Sequence, residues 1–228
     1  MIIKYLGHSC LLIESSDNSV IIDPFLSSNP QNKIKVADIH VSAVLVTHGH
    51  MDHVGDALEI ATRSKCPIIV IDELGKHFMS KDKTVKIHPM SIGGSYQFDW
   101  GKVKMTQALH GIGVEMNEVL SYSMPVGFII NIEDKLIYHP GDTGLFGDME
   151  MFGNMYDFDF VALPIGGNFT MDISDSIVAA KLLKAKNYIP IHYNTFDIIK
   201  QDVEVWKKRM SDAGLNATVM QYEDVFRF

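Results

Sequence analysis

From His48 to His53 the chain carries three imidazoles and one carboxylate, at His48, His50, Asp52 and His53, directly after the apolar run Val41-Ser42-Ala43-Val44-Leu45-Val46. Such crowding is costly if the rings protonate, because neighbouring imidazolium charges repel. A divalent metal removes that cost: neutral imidazole is a good ligand for zinc and its neighbours, and a carboxylate adds a hard oxygen. A histidine-rich surface turn would leave the His-x-His-x-Asp-His spacing unexplained. His48 and His50, two apart on a tight turn, can reach one ion. Asp52 and His53, at the start of the helix expected next, point the other way and can bind a second. Each ion then needs one distant imidazole, for which His110 and His192 are the available strand-end candidates. Asp142, in Gly141-Asp142-Thr143-Gly144, can bridge both ions with its two oxygens, and its flanking glycines let the backbone approach closely.

The elements that must position these groups are short. Alternating and apolar runs predict strands at 2–6, 10–14, 20–22, 43–46, 68–71, 86–88, 95–98, 103–108, 127–132 and 136–138. Helical spacing of Ala57, Leu58, Ile60 and Ala61 predicts a helix over 55–64. The last third alternates: a strand at 160–163, a helix at 174–184 capped by Asp172 or Ser174, a strand at 188–191, a helix at 202–213 and a closing strand at 218–220. Loops are expected at 26–35, 76–83 and 111–122. One pattern recurs: Asp23, His48, His110, Asp142 and His192 each follow a short apolar strand. Strand ends along one edge of a layered α/β protein would bring them into one cleft.

Composition bounds the rest. The chain has 228 residues, 46% of them hydrophobic, enough for a sizeable core. With 20 Lys and Arg against 28 Asp and Glu, the net charge is −8, the opposite of a nucleic-acid footprint. Only two cysteines occur, Cys10 and Cys66, which reads as two small buried side chains rather than a disulfide framework or a thiolate metal site. No apolar run approaches a membrane span, and Lys4, Gly7 and His8 interrupt the start before a signal-type core forms. A cytoplasmic protein without nucleic-acid or membrane partners is expected, with a homo-oligomer compatible.

The segments Thr47-His48-Gly49-His50-Met51-Asp52-His53, His110, Gly141-Asp142-Thr143 and Pro190-Ile191-His192, in that order, closely resemble the metallo-β-lactamase superfamily, and Ile22-Asp23-Pro24 matches its early aspartate. Gly7-His8-Ser9-Cys10 and the stretch from Leu163-Pro164-Ile165-Gly166-Gly167 to Asn168-Phe169-Thr170-Met171 look like the branch of small stand-alone metal-dependent hydrolases related to ascorbate-6-phosphate lactonase. The resemblance covers nearly the whole chain. It implies a single metallo-hydrolase domain over 1–228, folded as a four-layer αββα sandwich with the site at one edge of the sheets. It also implies that His48, His50 and His110 hold one metal and Asp52, His53 and His192 the other, with Asp142 bridging and Asp23 orienting a ligand. After His110 the chain reads Gly111-Ile112-Gly113, where that branch commonly has serine.

The chemistry expected is hydrolysis of a small, anionic ester, lactone or phosphodiester by a metal-bridging hydroxide, with no serine or cysteine nucleophile. Asp142 and Asp52 are the expected catalytic carboxylates, and His8 is the side-chain candidate for protonating the leaving oxygen. Zinc is the default, and manganese, iron or nickel would also suit the donors. Three other classes compete. A di-iron oxidoreductase on the same scaffold would place a glutamate in the first motif, where His50 stands, and usually adds a flavin domain. A nuclease would bring a basic groove. A metal-binding regulatory module would not need all seven ligands. Asn168, Phe169 and Thr170 either face the cleft or form a turn before a helix. His139 is expected to be structural, and His40, His77 and His88 to lie on the surface.

Overall fold

The computed structural model describes residues 1–111, 114–116, 119–121 and 123–228, with the side chains of 114–116 and 119–121 outside the description. In chain order the strands and helices are β1 (Ile2–Tyr5), β2 (Leu11–Glu14), β3 (Ser19–Ile22), β4 (Ala43–Leu45), α1 (Met51–Val54), α2 (Ala57–Ser64), β5 (Pro67–Ile71), α3 (Asp72–Lys81), β6 (Lys86–Met90), β7 (Ser95–Phe98), β8 (Gly101–Gln107), β9 (Val114–Met116), β10 (Val119–Ser121), β11 (Val126–Ile132), β12 (Lys135–His139), α4 (Asp148–Met155), β13 (Phe160–Pro164), α5 (Ile173–Leu183), β14 (Tyr188–Ile191), α6 (Val203–Asp212) and β15 (Val225–Arg227).

One sheet has the order β15-β1-β2-β3-β4-β5-β6 and the other β14-β13-β12-β11-β8-β7. Their facing sides close on a core that includes Ile3, Leu11, Ile13, Ile21, Val44, Ile68, Phe128, Ile130 and Phe160. Helices α2 and α3 lie against β4, β5 and β6. On the outer face of the second sheet, Tyr138, Val161, Leu163 and Tyr188 pack with Phe152 of α4, Ile177 and Ala180 of α5, and Trp206 and Met210 of α6. The result is the αββα sandwich expected from the sequence.

Strand polarity explains why the candidate ligands meet. β3 to β6 are mutually parallel, and β1 runs with them because two antiparallel pairings separate it from β3. β12, β13 and β14 are parallel, and β8 runs with β12 because both are antiparallel to β11. His8, Asp23, His48, His110, Asp142 and His192 all follow the C-terminal ends of such strands, where α/β folds place their sites. The two sheets are stitched at this rim by Val126 N–H to the Thr47 carbonyl (3.0 Å), His192 N–H to the His8 carbonyl (2.8 Å) and His139 Nε2–H to the Ser9 carbonyl (2.9 Å). Gly141 is required at the stitch. Its φ is +66°, and a Cβ there would lie 2.6 Å from the Val126 carbonyl oxygen and 2.9 Å from Thr47 Cβ.

Several local expectations are corrected. The helix expected over 55–64 is α2, which begins at Ala57; a separate turn, α1, precedes it, carries Asp52 and His53, and ends at Gly55 (φ +26°). The loop expected at 76–83 is the second half of α3, whose Leu74, Gly75 and Phe78 are buried although Gly75 weakens the helical signal. The loop expected at 111–122 contains the paired strands β9 and β10, while Ile112 and Gly113 lie outside the described residues. The closing strand is β15, paired with β1, rather than 218–220. Helix α4 is not expected from its sequence pattern. Of the two cap candidates for the helix at 174–184, Asp172 serves: it accepts from Asp175 N–H at 2.9 Å at the head of α5. Asp202 caps α6 in the same way. Among the described residues no helix is long and apolar enough to cross a membrane, and Cys10 and Cys66 are buried and unpaired.

Candidate metal centre

The centre is built from the carboxylate outward. Asp142 is buried behind β12, and its Oδ2 lies 2.9 Å from His192 Nε2, 3.3 Å from His53 Nε2, 3.7 Å from His110 Nε2 and 3.9 Å from His48 Nε2. Its other oxygen, Oδ1, is buried without a hydrogen-bond partner. Burial alone would raise the Asp142 pKa, but the imidazoles of His53 and His192 outweigh it and hold the carboxyl well below the usual range.

The outer hydrogen bonds fix which way the imidazole lone pairs point. Thr47 Oγ1 donates to Asp23 Oδ2 (2.7 Å), so at 3.0 Å it accepts from His48 Nδ1–H. His110 Nδ1–H donates to the Phe169 carbonyl (3.0 Å), which can only accept. His53 Nδ1–H donates to Asp23 Oδ2 (2.7 Å). The lone pairs of His48 Nε2 and His110 Nε2 therefore face inward, at 2.9 Å and 3.2 Å from His50 Nδ1. His50 has one proton to give there and cannot satisfy both. Those separations are close to the roughly 3.3 Å edge of a tetrahedron of nitrogens at zinc–nitrogen bond lengths. A second group, His8, Asp52, His53 and His192, brings one ligand atom from each residue within 4.8 Å of the others, and a third joins His48, His53 and Asp142. Converging lone pairs, an orphaned carboxylate oxygen and an all nitrogen and oxygen donor set fit divalent cations well.

All seven residues proposed as ligands from the sequence are thus brought together, and so are Asp23 and His8. Asp23 holds the first motif from below, accepting from Thr47 N–H (2.8 Å) with Oδ1 and from Thr47 Oγ1 and His53 with Oδ2. His8 is fully buried and both its ring nitrogens are engaged, Nε2 with Asp52 Oδ2 (3.1 Å) and Nδ1 with Thr195 Oγ1 (2.9 Å). Burial pushes the His8 pKa down to about 4, so it is a neutral ring at working pH. His8, Asp23 and His192 all have positive φ (54°, 45° and 53°), an arrangement costly for non-glycine residues that the rim contacts hold in place. His139 is structural as expected: it donates to Ser9 and accepts from Gly141 N–H (3.2 Å).

Three contributors carried no assigned role in the sequence. Thr47 lies inside the motif, and its place beside the strand end was the available signal. Phe169 was a candidate for the cleft or for a turn, and it is its carbonyl that meets His110, while Thr195 gave no signal because it acts through a partner distant in sequence.

In the metal-free protein His53 stands between Asp23 and Asp142. Burial lowers its pKa, but the two carboxylates raise it further and hold it well above the ordinary histidine value, which favours the protonated ring. A metal on Nε2 must displace that proton. Metal affinity is therefore expected to rise about tenfold per pH unit near neutrality for each proton released. Titration calorimetry in buffers of different ionisation enthalpy measures that release; binding with no proton released would contradict this electrostatic picture.

The comparisons with known proteins agree with the geometry. Residues 18–193 match the family model described as the beta-lactamase superfamily domain. A UPF0173 metal-dependent hydrolase of Anoxybacillus flavithermus is 48% identical over 94% of this chain and 95% of that protein. A Bacillus subtilis relative, the UPF0173 metal-dependent hydrolase YtkL, is 46% identical over 90% of this chain and 91% of its own length. The solved structure of Igni18, described as a novel metallo hydrolase from Ignicoccus hospitalis, is 33% identical and superposes over the full length of both chains with a TM-score of 0.87. The chain therefore belongs to the metallo-β-lactamase superfamily, among its stand-alone metal-dependent hydrolases.

Proposed function

We propose that this protein binds two divalent cations, zinc by preference, and hydrolyses a small ester, lactone or phosphodiester that bears negative charge. The observation that carries the reading is the inward convergence of imidazole lone pairs around Asp142, fixed by hydrogen bonds made on the far side of each ring. His48 Nε2, His50 Nδ1 and His110 Nε2 would hold one ion. Asp52, His53 Nε2 and His192 Nε2 would hold the other, and Asp142 would serve both. Bound there, such ions supply Lewis acidity towards a carbonyl or phosphoryl oxygen and a water acidified to a pKa of about 7.

The chain's own residues do the rest. Asp23 keeps His53 in the tautomer that offers Nε2, and Thr47 does the same for His48. His8 holds Asp52 by one ring nitrogen and is itself held by Thr195. This arrangement favours a positioning role over the leaving-group acid considered from the sequence. Substrate enters where the cluster is open: His50, Asp52 and His110 are part-exposed, whereas His48, His53, Asp142 and His192 are buried. The two unpaired cysteines support a cytoplasmic setting. No nucleic-acid or membrane partner is invoked, and a homo-oligomer is compatible.

Purified protein loaded with zinc or manganese should hydrolyse at least one member of a panel of lactones, phosphodiesters, thioesters and phosphate esters. Chelation should abolish that turnover and readdition restore it. Turnover that survives complete metal removal, verified by elemental analysis, would sink the reading.

A further inference from the structure

Four large apolar side chains stand exposed around the metal-binding cluster. Met51, between His50 and Asp52, is 75% exposed; Leu109, next to His110, is 54% exposed; Phe169 is 52% and Phe196 40% exposed. Met51 is placed there by the chain itself, between two candidate ligands, and the other three are held by specific contacts. Leu109 is held by its N–H to Thr143 Oγ1 (2.9 Å) and by its carbonyl, which accepts from Gly144 N–H (2.8 Å). Phe169 gives its carbonyl to His110. The Phe196 ring lies 5.7 Å from that of His8 and 6.3 Å from that of Phe25. Single exposed apolar residues are ordinary, but several gathered at the open side of a polar cluster mark a ligand surface. Among the described residues, no lysine or arginine forms an ion pair with Asp23, Asp52 or Asp142. Charge on the substrate would be met by the bound cations, while these four side chains offer it apolar surface.

We propose that the substrate is amphipathic: beside the bond to be cleaved it carries an apolar arm, an alkyl chain of several carbons or an aryl ring, which lies across Met51, Leu109, Phe169 and Phe196. The inference rests on the metal-site reading above and extends it to substrate class. The arm would lie outside the ligand cage, against side chains whose main chain is held by hydrogen bonds at Leu109 and Phe169.

The test uses the metal-loaded protein and n-alkylphosphonic acids from methyl to octyl, with binding measured by calorimetry. Complete burial of a methylene is worth about fourfold in affinity, so covering even three gives ~60-fold in favour of the octyl compound. The double variant Leu109→Ser, Phe169→Ser should reduce that octyl-to-methyl ratio to less than about fivefold. Met155→Ser, on exposed α4, should keep the full ratio. Affinity that does not change with chain length, on protein shown by elemental analysis to carry metal, would overturn the inference and leave the hydrolase reading standing. So would an unchanged ratio in the double variant. Sedimentation that shows a dimer dissociated by the same double variant would assign the apolar rim to a second copy of the chain instead. Protein that takes up no metal would remove the site reading and this inference together.

Discussion

Asp142→Asn is expected to abolish hydrolysis and to strip the protein of at least part of its metal. Asparagine keeps the shape but removes the charge that faces four imidazoles within 3.9 Å. It also replaces one carboxylate oxygen by an amide nitrogen that cannot act as a ligand. If Asp142 serves both cations, metal content should fall by at least half. kcat/KM should drop by on the order of a thousandfold or more, the scale seen when one charge-stabilising group is lost from a reaction centre. A second consequence separates this from a general loss of structure. Asp142 is one of the two carboxylates that lift the His53 pKa, so its removal should reduce the protons released on metal binding. Elemental analysis, steady-state rates and calorimetry read the three effects; a variant with full metal and full rate would remove Asp142 from the mechanism.

The second large effect is on stability. Asp23 is buried, stands at φ +45°, and accepts hydrogen bonds from Thr47 N–H, Thr47 Oγ1 and His53 Nδ1. Asp23→Ala leaves those donors without an acceptor and puts alanine in a left-handed conformation. Loss of one partner from a buried charged network costs about 3–5 kcal/mol, read as a lower urea midpoint at unchanged slope. Asp23→Asn should cost clearly less, because asparagine tolerates positive φ and retains one acceptor oxygen. Both variants should weaken metal binding by roughly 10–100-fold, the usual effect of removing a residue that orients a histidine ligand. Equal stability of the two variants would show that the lost charge alone, and neither the remaining acceptor nor the backbone conformation, carries the cost.

Much of this was legible in the residues. Ligand types and the His-x-His-x-Asp-His spacing are local, and short apolar runs that end in Asp or His mark strand ends without any tertiary information. The strands at 188–191 and 160–163, and the cap Asp172, could be read for the same reason. Helix α3 was hidden because Gly75 and a polar majority blur its period, and only packing against β5 and β6 settles it. Strand β15 was missed because Val225, Phe226 and Arg227 look ordinary until β1 offers them an edge.

By itself, then, the sequence determined the chemistry available to this protein: which side chains can bind cations, that they leave from strand ends, and that the family is metallo-β-lactamase-like. The tertiary structure decided how that chemistry is aimed. Thr47, Asp23 and the Phe169 carbonyl choose the tautomer of three histidines, and Thr195, 187 residues from His8, locks the ring that holds Asp52. The reason is physical: ligand identity is a property of one residue, whereas the direction of a lone pair is set by whatever accepts the proton on the other side of the ring, and that partner arrives only when the two sheets close.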